Sequence, residues 1–131
     1  MTKKYLAKII AKDSQGLQLI SACSAEAQVK IKEIKYLSKN KIFLFSMERF
    51  TVEKDKNDQK INSICKFEFV DNVKSKNINQ NDINLVLKLI VINLIKNKNN
   101  YEINLIFSDN AYITLSTEII EVTLEDQKQD L

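Results

Sequence analysis

Residues 101–125 read YEINLIFSDNAYITLSTEIIEVTLE, and this stretch decides the fold class. Its apolar residues occupy every second position in three runs: Ile103, Leu105 and Phe107, then Ile113 and Leu115, and finally Ile120, Val122 and Leu124. A period of two places side chains alternately on the two faces of a β-sheet. Asp109-Asn110 separates the first two runs, and both residues tolerate the left-handed backbone of a tight hairpin. The chain is therefore predicted to end in an antiparallel meander, a structure that leaves the function open.

The composition excludes several classes of active site. The chain has 131 residues, of which 44% are hydrophobic, so residues 1–131 are expected to form a single domain with a real core. There is no His, which removes His-dependent triads and His-based zinc sites. The single Gly rules out a glycine-rich phosphate loop. No cofactor and no metal site are expected.

The chain is expected to be cytoplasmic. The N-terminus, MTKKYLAKIIAKD, is too short and too rich in Lys for a secretory signal. The longest apolar run, Ile83 to Ile95, is interrupted by Asn84, Lys88 and Asn93 and falls short of the ~18 residues of a membrane span. Cys23 and Cys65 are too few for a disulfide framework and are interpreted as small buried residues.

The rest of the chain predicts one helix and several further strands. The helix is placed at Ser14 to Ala27, with an N-cap at Asp13-Ser14. The strands are placed at Lys3 to Lys12, Val29 to Leu37 (with a β-bulge at Glu33), Ile42 to Val52, Ile61 to Val73 and Ile83 to Ile95, with a polar loop at Glu53 to Lys60 and turns at Ser38–Lys41 and Asn97–Asn100. The predicted fold class is α+β, mostly antiparallel sheet with one N-terminal helix. A partly closed barrel and two β-x-β-β halves are the alternatives.

Short motifs along nearly the whole chain resemble domain-of-unknown-function family 2948, a bacterial family best represented in alphaproteobacteria. The matching residues are Asp13, Leu17 and Ile20-Ser21-Ala22, then Phe45, Arg49-Phe50 and Glu53, then Phe67, Val70, Val73, Ser75 and Ile78, and finally Ile113, Leu115, Ile120-Glu121 and Leu124. Asn77 stands where the family tends to have Gly, which is consistent with a left-handed backbone at that position. The resemblance implies a small cytosolic domain without a known activity and offers no catalytic residue.

Arg49 is the only Arg among twenty basic residues. A guanidinium retained in so Lys-rich a chain suggests a task that Lys cannot perform, such as two-point pairing with a carboxylate or phosphate. Two interpretations are open. Arg49 either forms a structural pair with an acidic residue of the C-terminal meander, which we favour, or binds a ligand.

Charge is distributed unevenly along the chain. Residues 1–98 carry nineteen basic and ten acidic side chains, whereas residues 99–131 carry one and seven. A basic patch that could bind nucleic acid is predicted to include Lys30, Lys32, Lys35, Lys74 and Lys76. The exposed aromatic residues that single-strand binders use are missing, so we favour solvated strand faces and pairing between the two ends of the chain.

Two further groups of polar residues have modest interpretations. Asp55, Asp58, Glu68 and Asp71 lack calcium-loop spacing and are not expected to bind a metal. Tyr112, Thr114 and Ser116 line one face of a strand, which is either a recognition surface or, as we favour, the solvent side of the sheet.

The sequence therefore favours a small interaction or accessory module without catalytic activity. Its partner is expected to be another protein or a second copy, without a role for a membrane. The alternative is a binder of a small anionic ligand or nucleic acid that uses Arg49, Lys30, Lys32, Lys74 and Lys76. An unusual enzyme that relies on Lys, Tyr and carboxylates is the least favoured reading.

Overall fold

The computed structural model describes residues 7–51 and 59–128. This part of the chain forms one α-helix, α1 (Ser14–Ser24), and ten β-strands. The strands are β1 (Lys8–Ala11), β2 (Gln28–Lys30), β3 (Ile34–Leu37), β4 (Ile42–Thr51), β5 (Gln59–Phe67), β6 (Val70–Lys76), β7 (Val86–Lys96), β8 (Tyr101–Phe107), β9 (Tyr112–Thr117) and β10 (Val122–Asp126). A short 3₁₀ helix, Ile31–Glu33, separates β2 from β3.

The strands form one antiparallel sheet in the order β1-β10-β5-β4-β2-β7-β8-β9-β6. Strand β5 pairs with β4 from Phe43 to Thr51, so β2 and β3 share the other edge of β4. Among the described residues no ladder joins the two ends of this order, and the sheet does not close into a barrel. The structure confirms the α+β class with one N-terminal helix on a mostly antiparallel sheet.

The core lies on one face of the sheet, which we call the inner face. Strands β4, β5, β7, β8, β9 and β10 supply most of its side chains, and the rings of Phe43, Phe45 and Phe67 pack with centroids 6.0–6.2 Å apart. Leu17 and Ile20 of α1 are buried in the same cluster. The helix passes close to β1, because a Cβ atom on Gly16 would lie 2.9 Å from that of Ala11. Glycine is therefore required sterically at this crossing.

The local signals at the helix and the hairpins are confirmed. The Asp13 carboxylate accepts a hydrogen bond from the Gly16 N–H at 2.7 Å and caps α1, which ends at Ser24. Asp109 and Asn110 have φ of 63° and 61°, as a tight hairpin turn between β8 and β9 requires. The turns at 38–41 and 97–100 are also present. The two hairpins that contain them differ in length, since β3 and β4 pair at four positions whereas β7 and β8 pair at seven.

The predicted meander is wrong in its last strand. Strand β10 leaves β9 and pairs with β5 on one side and β1 on the other. Alternation along a strand determines which face it buries, whereas its neighbours depend on the rest of the sheet. As a result, the C-terminal strand joins the N-terminal part of the chain.

Two predicted strands are each divided in the structure. The stretch 29–37 is split by the 3₁₀ helix where a bulge was predicted, so β2 bridges β4 and β7 while β3 pairs with the start of β4. The stretch 61–73 is split at Phe69, whose φ of 60° turns the chain from β5 into β6 and allows β6 to pair with β9. The stretch 83–95 is a strand as predicted, although β7 begins at Val86 and ends at Lys96. Most of the predicted loop at 53–60 lies outside the described residues.

No helix in the described part of the chain is long and apolar enough to cross a membrane.

Candidate functional site

Arg49 lies on the inner face of β4 and is 7% exposed. Its Nε and Nη2 atoms donate to the two carboxylate oxygens of Asp126 at 2.9 and 2.7 Å. Nε also lies 3.1 Å from the Ser63 Oγ, which itself donates to Asp126 at 2.6 Å. We call Arg49, Ser63 and Asp126 the Arg49 cluster.

Each carboxylate oxygen of Asp126 receives two hydrogen bonds. Oδ1 accepts from Arg49 and Ser63, and Oδ2 accepts from Arg49 and the backbone N–H of Ala7 at 2.8 Å. Burial by itself would raise the pKa of Asp126, but these hydrogen bonds and the charge of Arg49 hold its pKa below the ordinary value. The carboxylate is therefore kept ionised and has no lone pair left for general-base chemistry.

The Arg49 cluster joins β4, β5, β10 and the residue before β1. Arg49 therefore forms an ion pair with Asp126, an acidic residue of the C-terminal stretch, as the first of its two interpretations predicted. The two ends of the chain also form a longer ion pair, with 4.0 Å between the Lys12 Nζ and the Glu121 Oε1.

The structure does not bring Arg49 together with the predicted lysines. Lys30, Lys32, Lys74 and Lys76 are exposed, whereas Arg49 is buried. Lys30 lines a pocket of 370 Å³ with Glu33 and Glu48, and Lys76 lines a shallow depression of 390 Å³ beside Tyr112. A ligand-binding role for these residues stays a prediction.

Tyr112, Thr114 and Ser116 of β9 lie on the outer face of the sheet, opposite the core. Tyr112 is exposed, and its cross-strand partner is Lys76. Thr114 lies opposite Lys74, and its hydroxyl donates to the Asn104 Oδ1 at 2.7 Å. These residues form a polar, partly exposed surface.

The carboxylates do not gather into a metal site among the described residues. Asp71 pairs with Lys41 at 2.9 Å, while Asp55 and Asp58 lie outside the described residues. A hydrogen bond with Glu121 and partial desolvation raise the pKa of Glu68. These two neighbouring carboxylates therefore repel each other when both are ionised.

Neither cysteine forms a disulfide in the structure. Cys65 is fully buried in the core, and this burial raises the pKa of its thiol well above the ordinary value. Cys23 on α1 is half-buried. A thiol as protonated as that of Cys65 is a poor nucleophile and behaves as a small apolar side chain.

An apolar cavity lies between β3 and β6, and we call it the β3–β6 cleft. Its volume is 290 Å³. Its lining has no acidic or basic side chain and consists of Ile31, Ile34, Tyr36, Phe43, Val73, Ser75, Ile78, Gln80 and Ile113. Phe43 and Ile113 belong to the buried core, so the cleft reaches from the surface to the inner face of the sheet.

Hydrogen bonds to Val70 hold β6 beside the β3–β4 hairpin. The Tyr36 hydroxyl donates to the Val70 carbonyl, and the Val70 N–H donates to the Lys41 carbonyl, both at 2.8 Å. Within residues 7–51 and 59–128, β3 pairs only with β4, and β6 pairs only with β9. Each strand thus keeps one edge without a partner strand.

Sequence reasoning missed the cleft because its walls come from segments far apart in the chain. The bulge predicted at Glu33, where the apolar residues move from odd to even positions, was the available signal. It marks the point where β3 separates from β2, and this separation leaves an edge of β3 unpaired. The position of β6 opposite that edge depends on its pairing with β9 and has no local signal.

Comparison with known proteins gives a family and no closer relative. No curated protein and no solved structure matches the chain. The model of the family described as "Protein of unknown function (DUF2948)" matches residues 7–131. This match spans the Arg49 cluster and the β3–β6 cleft and covers nearly the whole chain, so the chain belongs to the DUF2948 family.

Proposed function

We propose that this protein is a small cytoplasmic interaction or accessory module without catalytic activity, and that it binds a protein partner at the β3–β6 cleft. The observation that carries the proposal is an apolar cleft between two strands that each have an unpaired edge. Unpaired edges offer backbone N–H and C=O groups to another chain, while an apolar cleft provides surface that gains free energy when water leaves it.

The chemistry of the two candidate regions supports a binding role. The cleft contains no carboxylate, amine or thiol, and its one phenol, Tyr36, already donates to Val70. The Arg49 cluster is ionised, but its carboxylate is saturated with donors. Neither region offers a free acid–base pair of the kind that general catalysis needs.

The alternative function, binding of a small anionic ligand or nucleic acid, has less support. Because Asp126 holds the Arg49 guanidinium with two hydrogen bonds, this alternative rests on the lysines. Lys74 and Lys76 share the outer face of β6, and Lys30 and Lys32 flank Ile31. Retention on heparin that falls with salt and is lost on K74E/K76E would support the alternative.

Site-specific photo-crosslinking in cells tests the proposed function. A photoreactive benzoylphenylalanine replaces Ser75 in the cleft, and a matched variant carries it at Asn93, an exposed residue on the outer face of β7. We expect one discrete protein adduct from the Ser75 position and none of that mass from the Asn93 position. The adduct mass also distinguishes a second copy of this chain from another protein.

The proposal fails if both positions give the same adducts, or if the Ser75 position gives none while the protein is folded and abundant. Circular dichroism and expression level of the two variants provide that control.

A further inference from the structure

The free edge of β6 faces β3. In a β-strand the N–H and C=O groups of one residue point to the same edge. Both groups of Val70 are bonded on the side of the β3–β4 hairpin, to Lys41 and Tyr36. Strand β9 occupies the opposite edge of β6. Beyond Val70, the residues of β6 whose N–H and C=O groups do not point to β9, about every second one, therefore direct these groups towards the cleft.

Most of the inward side chains beside the cleft are apolar. On β3, Ile34 and Tyr36 lie opposite Phe45 and Phe43, which belong to the core. On β6, Val73 lies opposite the buried Leu115. A strand placed between these edges would direct every second side chain onto this apolar inner surface.

The outward side chains at the same two edges include three lysines. Lys35 alternates with Ile34 and Tyr36 on β3, while Lys74 and Lys76 alternate with Val73 and Ser75 on β6. All three lysines are exposed and have no ion pair within the described part of the chain. The nearest carboxylate on β6, Asp71, is held by Lys41 at 2.9 Å.

The geometry points to an extended peptide with alternating apolar and acidic residues as the partner of the β3–β6 cleft. This inference rests on the proposed function and names its binding chemistry. The peptide adds as a strand along the free edges, with its apolar side chains towards Phe43 and Ile113 and its carboxylates beside Lys35, Lys74 and Lys76. Its paired part is about four to six residues long, matched to the four residues of β3.

Fluorescence anisotropy with synthetic peptides tests this inference on the intact protein. The probe is the labelled peptide Val-Asp-Val-Glu-Val-Asp-Val. One control has Lys at each acidic position, and a second has the same composition with the apolar residues in one block. We expect the alternating acidic peptide to bind at least about tenfold more tightly than either control, a difference of about 1.4 kcal/mol.

Two further comparisons separate strand addition from attraction between charges alone. The K74E/K76E variant is expected to lose about tenfold or more in affinity, while K96E, which alters an exposed residue at the end of β7, keeps the native affinity. Methylation of alternate backbone nitrogens of the peptide is expected to abolish binding, because a strand pairs through its N–H groups. This last test uses the unaltered protein and does not depend on how a variant folds.

Equal binding of the basic peptide, or full affinity after backbone methylation, would overturn the inference. If crosslinking at Ser75 captures a protein but the acidic peptide does not bind, the inference fails and the proposed function stands. If the peptide binds but no adduct forms in cells, the cleft has the inferred chemistry and the proposed function fails.

Discussion

The Arg49 cluster and the β3–β6 cleft lie along the same strand, yet they use it in opposite ways. Phe43, in the wall of the cleft, and Arg49 both face inward from β4 and are six residues apart, about 20 Å along a strand. At the Arg49 end, charged groups are buried and satisfied by one another. At the Phe43 end, apolar groups line a gap between strands that lack partners. The buried ion pair of Arg49 and Asp126 therefore stabilises the fold, whereas the binding role that we propose lies where the sheet remains open.

The largest test of this comparison is to remove Arg49. In the Arg49→Met variant the buried Asp126 carboxylate loses its bidentate partner, and we expect the free energy of unfolding to fall by about 3–5 kcal/mol. Urea titration measures the change. The double variant Arg49→Met/Asp126→Leu is the control and should recover much of the loss, because it leaves no buried charge unpaired. A single variant as stable as the native protein would remove the structural role of Arg49.

The second test uses pH. Because the folded protein holds the pKa of Asp126 below its unfolded value of about 3.9, the unfolded chain binds the proton more readily. The contribution of Asp126 to stability is therefore complete above about pH 5 and is lost as pH falls through the folded pKa.

Asp126→Asn should lower the free energy of unfolding by about 1.5–3 kcal/mol at pH 7, since it removes charge-assisted hydrogen bonds. Urea titrations between pH 7 and pH 2 measure the gap between the variant and the native protein. The gap should narrow as the solution becomes acidic, and a constant gap contradicts the assignment.

The third test acts on the cleft. Tyr36→Phe keeps the ring in the wall but removes the hydroxyl that donates to Val70, and we expect a loss of about 0.5–1.5 kcal/mol. In the variant, hydrogen exchange should accelerate more in β6 than in β8, relative to the native protein, because β8 is paired on both edges. Equal acceleration in both strands would mean that the hydroxyl supports the whole sheet and not the cleft edge.

The smallest effect is expected at Glu68, which belongs to neither region. Its pKa is raised by the nearby Glu121, so the pair stabilises the fold least when both groups are ionised. Glu68→Gln should raise the free energy of unfolding at pH 7 by about 0.2–1 kcal/mol, towards the low end because the site is partly exposed. The gain should disappear below about pH 4, where Glu68 itself is protonated and no longer repels Glu121. Thermal unfolding at both pH values provides the measurement.

The features that could be predicted from the sequence are local ones. Asp13 caps the helix because its carboxylate needs only the N–H three residues later, and Asp109-Asn110 forms the turn because both tolerate positive φ. Asn77 also has a positive φ, 61°, as its position in the family motif implied. The interpretation of Arg49 as a structural pair succeeded for a different reason: a lone guanidinium needed a carboxylate, and the C-terminal stretch is rich in them.

The predictions that failed concern which strands are neighbours and where a predicted strand is divided. Strand β10 alternates in the same way whether it pairs with β9 or with β1 and β5, so its pattern contains no information about its neighbours. The division of 61–73 at Phe69 was missed because a bulky residue with positive φ is not expected from sequence. The surrounding pairs of β5 and β6 impose it.

The sequence by itself determined most of the strands, the turns and which side chains of a strand share a face, because side-chain periodicity and turn chemistry act over a few residues. The tertiary structure decided which strands are neighbours, and therefore which edges stay unpaired. Both the Arg49 cluster and the β3–β6 cleft depend on this tertiary arrangement of the strands. Arg49 meets a residue 77 positions away, and β3 meets β6 across a gap that no local pattern encodes, since such contacts form only when the whole sheet has assembled.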